Sequence, residues 1–260
     1  MMKFLTVSAL SAAAVFTMSM QDNKPLYQKG DFKVYEMKGS PDYPAATLKL
    51  NSPANHAELF EGKNTFQFDV MNYDLGQQTP GAEERMCANS AKGQHIHFIM
   101  DNAPYYASYE KNIVSELKPG HHVLLAFLSR SYHESIKHKP AYVLSEFNVG
   151  EAKDNFDEKA PHLFYSRPKG DYVGDKETKR LMLDFYLTNC DLSAKGYKVR
   201  ATVNGNTFTL DKWAPYVIEG LPLGEAKVKL ELLDKNGKLV KSPFNGVERT
   251  ANLKTEPAAK

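Results

Sequence analysis

The chain has 260 residues, of which 33 are Lys or Arg and 31 are Asp or Glu, so its formal net charge at pH 7 is only +2. This near-neutral balance excludes the strong overall field with which nucleic-acid-binding proteins attract their partners. The length accommodates two domains, each large enough to bury its own core. We therefore expect local side-chain chemistry to decide what the protein recognises.

The first twenty residues follow the plan of a secretory signal peptide. Lys3 precedes an apolar run from Phe4 to Phe16, and small residues follow around Ser19. The run is shorter than the roughly 20 apolar residues that a membrane span requires, and no later stretch approaches that length. The sequence predicts an exported protein, periplasmic or extracellular, without membrane insertion.

Short strands separated by turn residues fill the rest of the chain, which is an all-β pattern. The chain also repeats itself, because four anchors recur in one order at nearly constant spacing. The paired anchors are Asn51–Pro53 with Ser166–Pro168, Phe68–Leu75 with Phe185–Leu192, His95–Asn102 with Lys198–Gly205, and Glu116–Gly120 with Gly220–Gly224. Each copy has about 100 residues, the size of an immunoglobulin-like sandwich.

We predict an all-β fold with two tandem immunoglobulin-like β-sandwich domains after an N-terminal signal peptide at residues 1–20. Domain 1 is predicted at residues 32–152 and domain 2 at residues 160–253, with a small barrel as the alternative for each copy. The cysteines, Cys87 and Cys190, then fall in different domains. A disulfide would need their Cα atoms within about 7 Å, so we expect two free thiols.

Five segments give the chain a family resemblance: Gly93–Asn102, Leu117–His122, Ser129–Glu134, Phe164–Gly170 and Leu183–Asn189. With these motifs it resembles a family of uncharacterised exported bacterial proteins with tandem immunoglobulin-like domains, some of which are labelled phosphopeptide-binding. The resemblance implies the fold and the export route. It implies no catalytic residues.

The strand of domain 1 that begins at His95 holds the main functional clue. Strand alternation puts Ile96 and Phe98 on the core face, and His95 and His97 together on the opposite, outward face. The corresponding strand of domain 2 has Lys198 and Arg200 at these positions. Domain 2 therefore lacks the histidine pair, and its sequence indicates a structural role.

Three segments are expected to meet at one pole of domain 1. An insertion lengthens the connection from Leu75 to Gln94, and an antiparallel partner strand places the loop Ser129–Ser135 beside the start of the histidine strand. His95, His97 and His133 could then bind zinc or copper, with Glu83, Met86 or Cys87 as further ligands. Exposed histidines that only pair with polar neighbours are the alternative.

The same pole also offers groups that suit an anion. Arg130 supplies a guanidinium, and the neighbouring side chains supply hydroxyl and imidazole donors for a phosphate, sulfate or carboxylate. The predicted ligand-binding residues are His97, Ser129, Arg130, Ser131, Tyr132 and His133. A phosphorylated or anionic peptide, or a small anionic molecule, would be the partner.

Enzymatic motifs are lacking, since the sequence has no Gly-rich phosphate loop, GxSxG elbow or HExxH helix. We therefore predict an exported, non-enzymatic binding protein whose ligand site lies at the loop pole of domain 1. The alternative is a zinc- or copper-binding periplasmic protein that uses His95, His97 and His133. No nucleic-acid partner is expected.

Overall fold

The computed structural model describes residues 24–152 and 156–257. The predicted signal peptide at residues 1–20 lies outside these ranges. The described residues form eighteen strands in four sheets. The strands of the first half are β1 (Tyr27–Lys29), β2 (Phe32–Glu36), β3 (Thr47–Ser52), β4 (Ala57–Leu59), β5 (Gly62–Met71), β6 (His95–Met100), β7 (Tyr106–Ser108), β8 (Asn112–Leu117), β9 (Gly120–Ser129) and β10 (Tyr142–Val149). Those of the second half are β11 (His162–Arg167), β12 (Gly170–Val173), β13 (Leu181–Thr188), β14 (Lys198–Val203), β15 (Asn206–Leu210), β16 (Tyr216–Glu219), β17 (Gly224–Leu233) and β18 (Val247–Lys254).

Helical structure is slight in the part of the chain that the structure describes. One α-helix, α1, spans Asp175–Thr178, and 3₁₀ turns occupy Glu83–Arg85 and Lys139–Ala141. None of the helices in the two described ranges is long and apolar enough to cross a membrane.

The first sandwich packs the sheet β3-β5-β8 against the sheet β4-β10-β9-β6-β7. Alternate residues of each strand point into its core, where Phe66 meets Phe98 and Phe147 edge to face with ring centroids 5.1 and 5.4 Å apart. Ile96 is fully buried in the same core. The predicted core face of β6 is therefore confirmed.

The second sandwich repeats this plan and adds β1 and β2 at the edge of its other sheet, β1-β2-β16-β13-β11. Its sheet β12-β18-β17-β14-β15 matches β4-β10-β9-β6-β7, including a parallel pairing at the same place, β18 with β12 and β10 with β4. Asn72 and Asn189, which the sequence alignment equates, both adopt a left-handed backbone, at φ 55° and 56°. The predicted fold of two tandem immunoglobulin-like β-sandwiches is confirmed.

One predicted boundary needs correction at the start of domain 1. Residues 32–36 were assigned to that domain, but β2 pairs antiparallel with β16 and so belongs to the second sandwich. Phe32 and Val34 are buried in its core. Alternation predicts that a segment is a strand, but it carries no information about which sheet edge the strand joins.

The two sandwiches pack sheet against sheet. Ile99, Leu125 and Phe127, on the outer face of β6 and β9, are fully buried against Phe164 and Tyr186 of the second sandwich. The Phe127 and Tyr186 rings stack with centroids 4.6 Å apart and planes 17° apart. The face of β6 that was expected to be outward is therefore an interdomain face.

Candidate metal centre between the two sandwiches

His95 and His97 lie on this interdomain face of β6. The strand pairs antiparallel with β9, so that His95 lies opposite Ser129 and His97 opposite Phe127. Both histidines point away from the core of the first sandwich, as predicted, but both are 0% exposed. The alternative of exposed strand histidines is therefore wrong, because the second sandwich covers the sheet.

His133 reaches the same place from the loop after β9. The loop closes as a tight turn in which Arg130 N donates to Glu134 O at 2.9 Å and His133 N donates to Arg130 O at 2.8 Å. His133 takes a left-handed backbone conformation, with φ 70°. This conformation is uncommon for a residue other than glycine and occurs where surrounding contacts enforce it. It turns the imidazole back toward β6.

Three ring nitrogens converge at this point. Nε2 of His95 lies 3.0 Å from Nε2 of His97 and 3.0 Å from Nδ1 of His133. Nitrogen ligands about 2.0–2.1 Å from a tetrahedral zinc ion lie roughly 3.3 Å apart, so these two separations are close to those within one coordination sphere. The structure thus brings together all three residues that the sequence predicted as metal ligands.

The loop insertion fixes the tautomer of His95. Its Nδ1 lies 2.8 Å from the carbonyl oxygen of Gly93, so Nδ1 carries the proton and Nε2 presents a lone pair to the other two rings. Gly93 has φ 83°, and a Cβ there would lie 2.5 Å from the carbonyl oxygens of Gly76 and Gln77. Glycine is therefore required where the inserted loop crosses the start of β6.

Hydrogen bonding within the neutral cluster is poorly satisfied at Nε2 of His95. A neutral imidazole nitrogen has one lone pair and accepts one good hydrogen bond. Two other ring nitrogens approach the single lone pair of His95 Nε2, so in the neutral cluster no more than one of the two contacts is a good hydrogen bond. A metal ion shared by the three nitrogens would accept a lone pair from each of them.

Protonation of the three imidazoles is unfavourable at this buried position. Burial lowers the pKa of His95 to about 4. Burial, followed by the neighbouring imidazoles, lowers the pKa of His97 well below its usual value. Burial and then Arg167 do the same for the pKa of His133. The three imidazoles are therefore neutral near pH 7, which is the form that binds metals.

The second sandwich supplies the surroundings of the cluster. The Ser166 hydroxyl lies 3.3 Å from Nδ1 of His97. Arg167 Nε donates to the hydroxyl oxygen of Tyr105 at 3.0 Å, and that oxygen lies 3.2 Å from Nδ1 of His133. The Tyr105 ring stacks on His97 with centroids 3.6 Å apart and planes 9° apart. The cluster is therefore held from both sides of the domain interface.

The other predicted metal ligands do not join the cluster. Glu83 is exposed and forms an ion pair with Lys176 of the second sandwich. Met86 is 49% exposed. Cys87 is buried against Met182 and Val217. Cys87 and Cys190 are both free thiols, as expected.

The predicted anion site is not available in this structure. Arg130 Nη1 donates to Glu134 Oε1 at 2.9 Å, and its Nε and Nη2 both donate to the carbonyl oxygen of Pro41, at 3.1 and 2.5 Å. Arg130 is 5% exposed, and Ser129, Ser131 and Tyr132 are each 0% exposed. Because the guanidinium is already bonded inside the protein, these residues hold the loop in shape.

Sequence reasoning missed the contributions of Tyr105, Ser166 and Arg167. Tyr105 follows β6 by only five residues, but it is not among the predicted site residues. Ser166 and Arg167 belong to a predicted anchor of the internal repeat and to no predicted site. No pattern in the sequence links them to His97, because the contact depends on how two separate domains dock.

No family model and no curated protein matches the sequence. Among solved structures, the chain is similar to the fibronectin(III)-like modules of Clostridium thermocellum CbhA, at 10% identity and TM-score 0.29, over 82% of this chain and 97% of that one. It is also similar to the central fibronectin-III array of RIM-binding protein, at 12% identity and TM-score 0.27, over 85% and 73% of the two chains. A third similarity is to a Bacteroides ovatus glucan-utilisation protein, SGBP-B, solved with a mixed-linkage heptasaccharide, at 9% identity and TM-score 0.25, over 80% and 70% of the chains. Resemblances at this level assign neither a family nor a ligand to this chain.

Proposed function

We propose that this protein binds a metal ion, zinc or copper, through His95, His97 and His133 at the interface of its two sandwiches. The observation that supports the proposal is the approach of two imidazole nitrogens to Nε2 of His95, each at 3.0 Å. The nitrogens of all three residues lie within 4.8 Å of one another. One lone pair cannot accept two good hydrogen bonds, so this arrangement satisfies neutral imidazoles poorly, whereas a cation would bind all three nitrogens.

The ligand type narrows the class of metal. Imidazole nitrogen suits zinc, copper, nickel and iron, whereas magnesium and calcium prefer oxygen ligands. Oriented partners complete such centres, because a bond to the second ring nitrogen fixes each imidazole. The Gly93 carbonyl serves this purpose for His95, and the Ser166 hydroxyl serves it for His97.

The role that we infer from this site is metal binding. The metal would join β6 to the loop after β9 on a face that the second sandwich covers, and only His133 of the three ligands is partly exposed. We expect the ion to be held firmly and to stabilise the docked pair of domains. An exported, non-enzymatic protein remains our prediction. Anion binding at Arg130 is not proposed, because that guanidinium is bonded to Glu134 and Pro41.

Metal analysis of the full-length protein, purified without a histidine tag, tests the proposal. The protein would be stripped with chelator and titrated with zinc and with copper in a calorimeter. We expect one equivalent of metal per chain. The variant His133→Asn should lose this binding, because asparagine tolerates the left-handed backbone at position 133 but offers no imidazole.

His122→Asn is the matched control. His122 belongs to the same sandwich and its Nδ1 bonds to Asp101 Oδ2 at 2.7 Å, far along β9 from the cluster. We expect this variant to bind metal as the wild type does. Failure of the wild-type protein to bind zinc or copper above background, or equal loss in both variants, would contradict the proposal.

A further inference from the structure

A fourth polar atom, the hydroxyl oxygen of Tyr105, lies beside one of the three nitrogens of the metal centre proposed above. This oxygen lies 3.2 Å from Nδ1 of His133, close to the 3.0 Å that separates the nitrogens. Tyr105 follows β6 and is 3% exposed. Its ring is fixed by stacking on His97 at 3.6 Å. Packing therefore positions this oxygen beside the cluster.

Arg167 determines that the Tyr105 oxygen is a hydrogen-bond acceptor on one side. Arg167 is always protonated, so its Nε–H donates and the Tyr105 oxygen accepts at 3.0 Å. In the tautomer of His133 whose Nδ1 carries the lone pair, as metal binding requires, the phenol proton is directed to that nitrogen. When that nitrogen binds a metal, the proton loses its acceptor and the oxygen is left facing the same ion.

Charge leads to the same conclusion. Arg167 is 6% exposed and also donates to the Tyr172 hydroxyl at 2.7 Å, yet within the described ranges no carboxylate forms an ion pair with it. Lys169 Nζ lies 4.0 Å from the centre of the Tyr105 ring. A dication bound only by neutral imidazoles would add to these positive charges. A phenolate would offset them and give Arg167 an anionic partner.

We propose that the hydroxyl oxygen of Tyr105 is the fourth ligand of the metal, with Arg167 as the positioning residue that holds this oxygen in place. The inference rests on the proposed function of the three histidines. On binding, the O–H bond of Tyr105 breaks, its proton passes to solvent, and an oxygen–metal bond forms. The oxidation state of the metal does not change. The resulting set of three nitrogens and one phenolate oxygen suits copper(II) or zinc.

Copper(II) is the probe that reports this ligand directly. A phenolate bound to copper(II) gives a charge-transfer absorption that histidine ligands do not produce. The untagged, metal-free protein would be titrated with copper(II) and its absorption recorded. We expect the band to grow to one equivalent. In Tyr105→Phe the band should be absent, and copper should bind about 10-fold more weakly through the three histidines.

Two further variants sharpen the test. Tyr109→Phe is the control, since the Tyr109 ring lies 5.3 Å from that of His95 but its hydroxyl bonds to Ser90 Oγ at 2.6 Å. We expect it to keep the band. Arg167→Lys retains the charge but loses the Nε donor, so we expect the band to shift and the affinity to fall about 10-fold. A role for Arg167 in folding alone would leave the band position unchanged.

The outcomes separate the two proposals. Copper bound by the wild type without the band, or a band that survives Tyr105→Phe, would show that Tyr105 is not a ligand while the three-histidine centre stands. No binding of copper or zinc would overturn both. If Tyr105→Phe fails to fold by circular dichroism, resonance Raman spectra of the wild-type copper complex decide, because tyrosinate ring modes are present only when a phenolate is bound.

Discussion

Nε of Arg167 in the second sandwich donates a hydrogen bond, 3.0 Å long, to the Tyr105 hydroxyl of the first. The contact joins residues 62 positions apart and links the outer faces of two separately formed sheets. It lies beside the three histidines, so the candidate site and the domain interface are one structure. Binding or removal of the metal should therefore change the stability of domain docking. A change in docking should likewise change the affinity for the metal.

Zinc should stabilise the folded protein. A ligand that binds only the folded state at a free concentration 100 times its Kd stabilises that state by about 2.7 kcal/mol. For a chain of this length we expect Tm to rise by roughly 5–10 °C. Differential scanning calorimetry with zinc and with chelator measures the shift. His133→Asn should show no shift, and an equal shift in that variant would place the binding elsewhere.

Without metal, the protein should lose stability as the solution becomes acidic. Burial lowers the pKa of His95 to about 4 and lowers the pKa values of His97 and His133, whereas in the unfolded chain each is near 6.5. Below about pH 6.5 the unfolded state therefore binds more protons than the folded state. The histidine contribution is fully present above about pH 6.5 and is lost as the pH falls toward about 4.

Denaturant unfolding at several pH values in the presence of chelator tests this expectation. Each of the three histidines can contribute up to about 1.4 kcal/mol per pH unit within the window. His133→Asn should make the dependence shallower by about this amount. An unchanged slope would mean that His133 is not held neutral in the folded protein.

A buried ion pair at the domain interface should contribute more to the free energy of unfolding than an exposed ion pair. Asp184 of the second sandwich is 0% exposed, and Lys137 Nζ and Ser135 Oγ of the first donate to its Oδ1 at 2.5 and 3.1 Å. Lys137→Met leaves a buried carboxylate without its charge partner. We expect the free energy of unfolding to fall by about 3 kcal/mol.

Lys179→Met is the control for this substitution. Lys179 pairs with Asp175 on α1, and the two side chains are 70% and 81% exposed. Solvent screens such pairs, so we expect a change below about 0.5 kcal/mol. Equal effects of the two substitutions in denaturant unfolding would contradict a stabilising role for the interdomain pair.

The Cys87 thiol should report whether the domains are docked. Cys87 is 1% exposed beneath Met182 and Val217 of the second sandwich, and burial raises its pKa to about 11. We expect slow reaction with a thiol reagent, because the thiolate is the reactive form. Met182→Ala, which opens the covering contact, should speed labelling of Cys87, as followed by peptide mass spectrometry. Zinc should slow labelling in the wild type.

The sequence by itself determined the elements of this protein and their local order. Alternation placed Ile96 and Phe98 in a core and His95 and His97 on the opposite face, since successive side chains of a strand point to opposite sides. The internal repeat predicted two sandwiches of one topology. Antiparallel pairing predicted that the end of β9 lies beside the start of β6, which brings His133 to the strand histidines.

Only the tertiary structure decided what covers that face. Strand periodicity distinguishes the two sides of a sheet, but it does not say whether the second side meets solvent or another domain. Docking of the sandwiches buried His97, joined β2 to a sheet formed mainly by the second half of the chain, and brought Arg167 to Tyr105. Arg130 was misjudged for the same reason, because its partners Glu134 and Pro41 are set by loop packing and not by spacing. These contacts arise from the fit of whole surfaces, which no short stretch of sequence encodes.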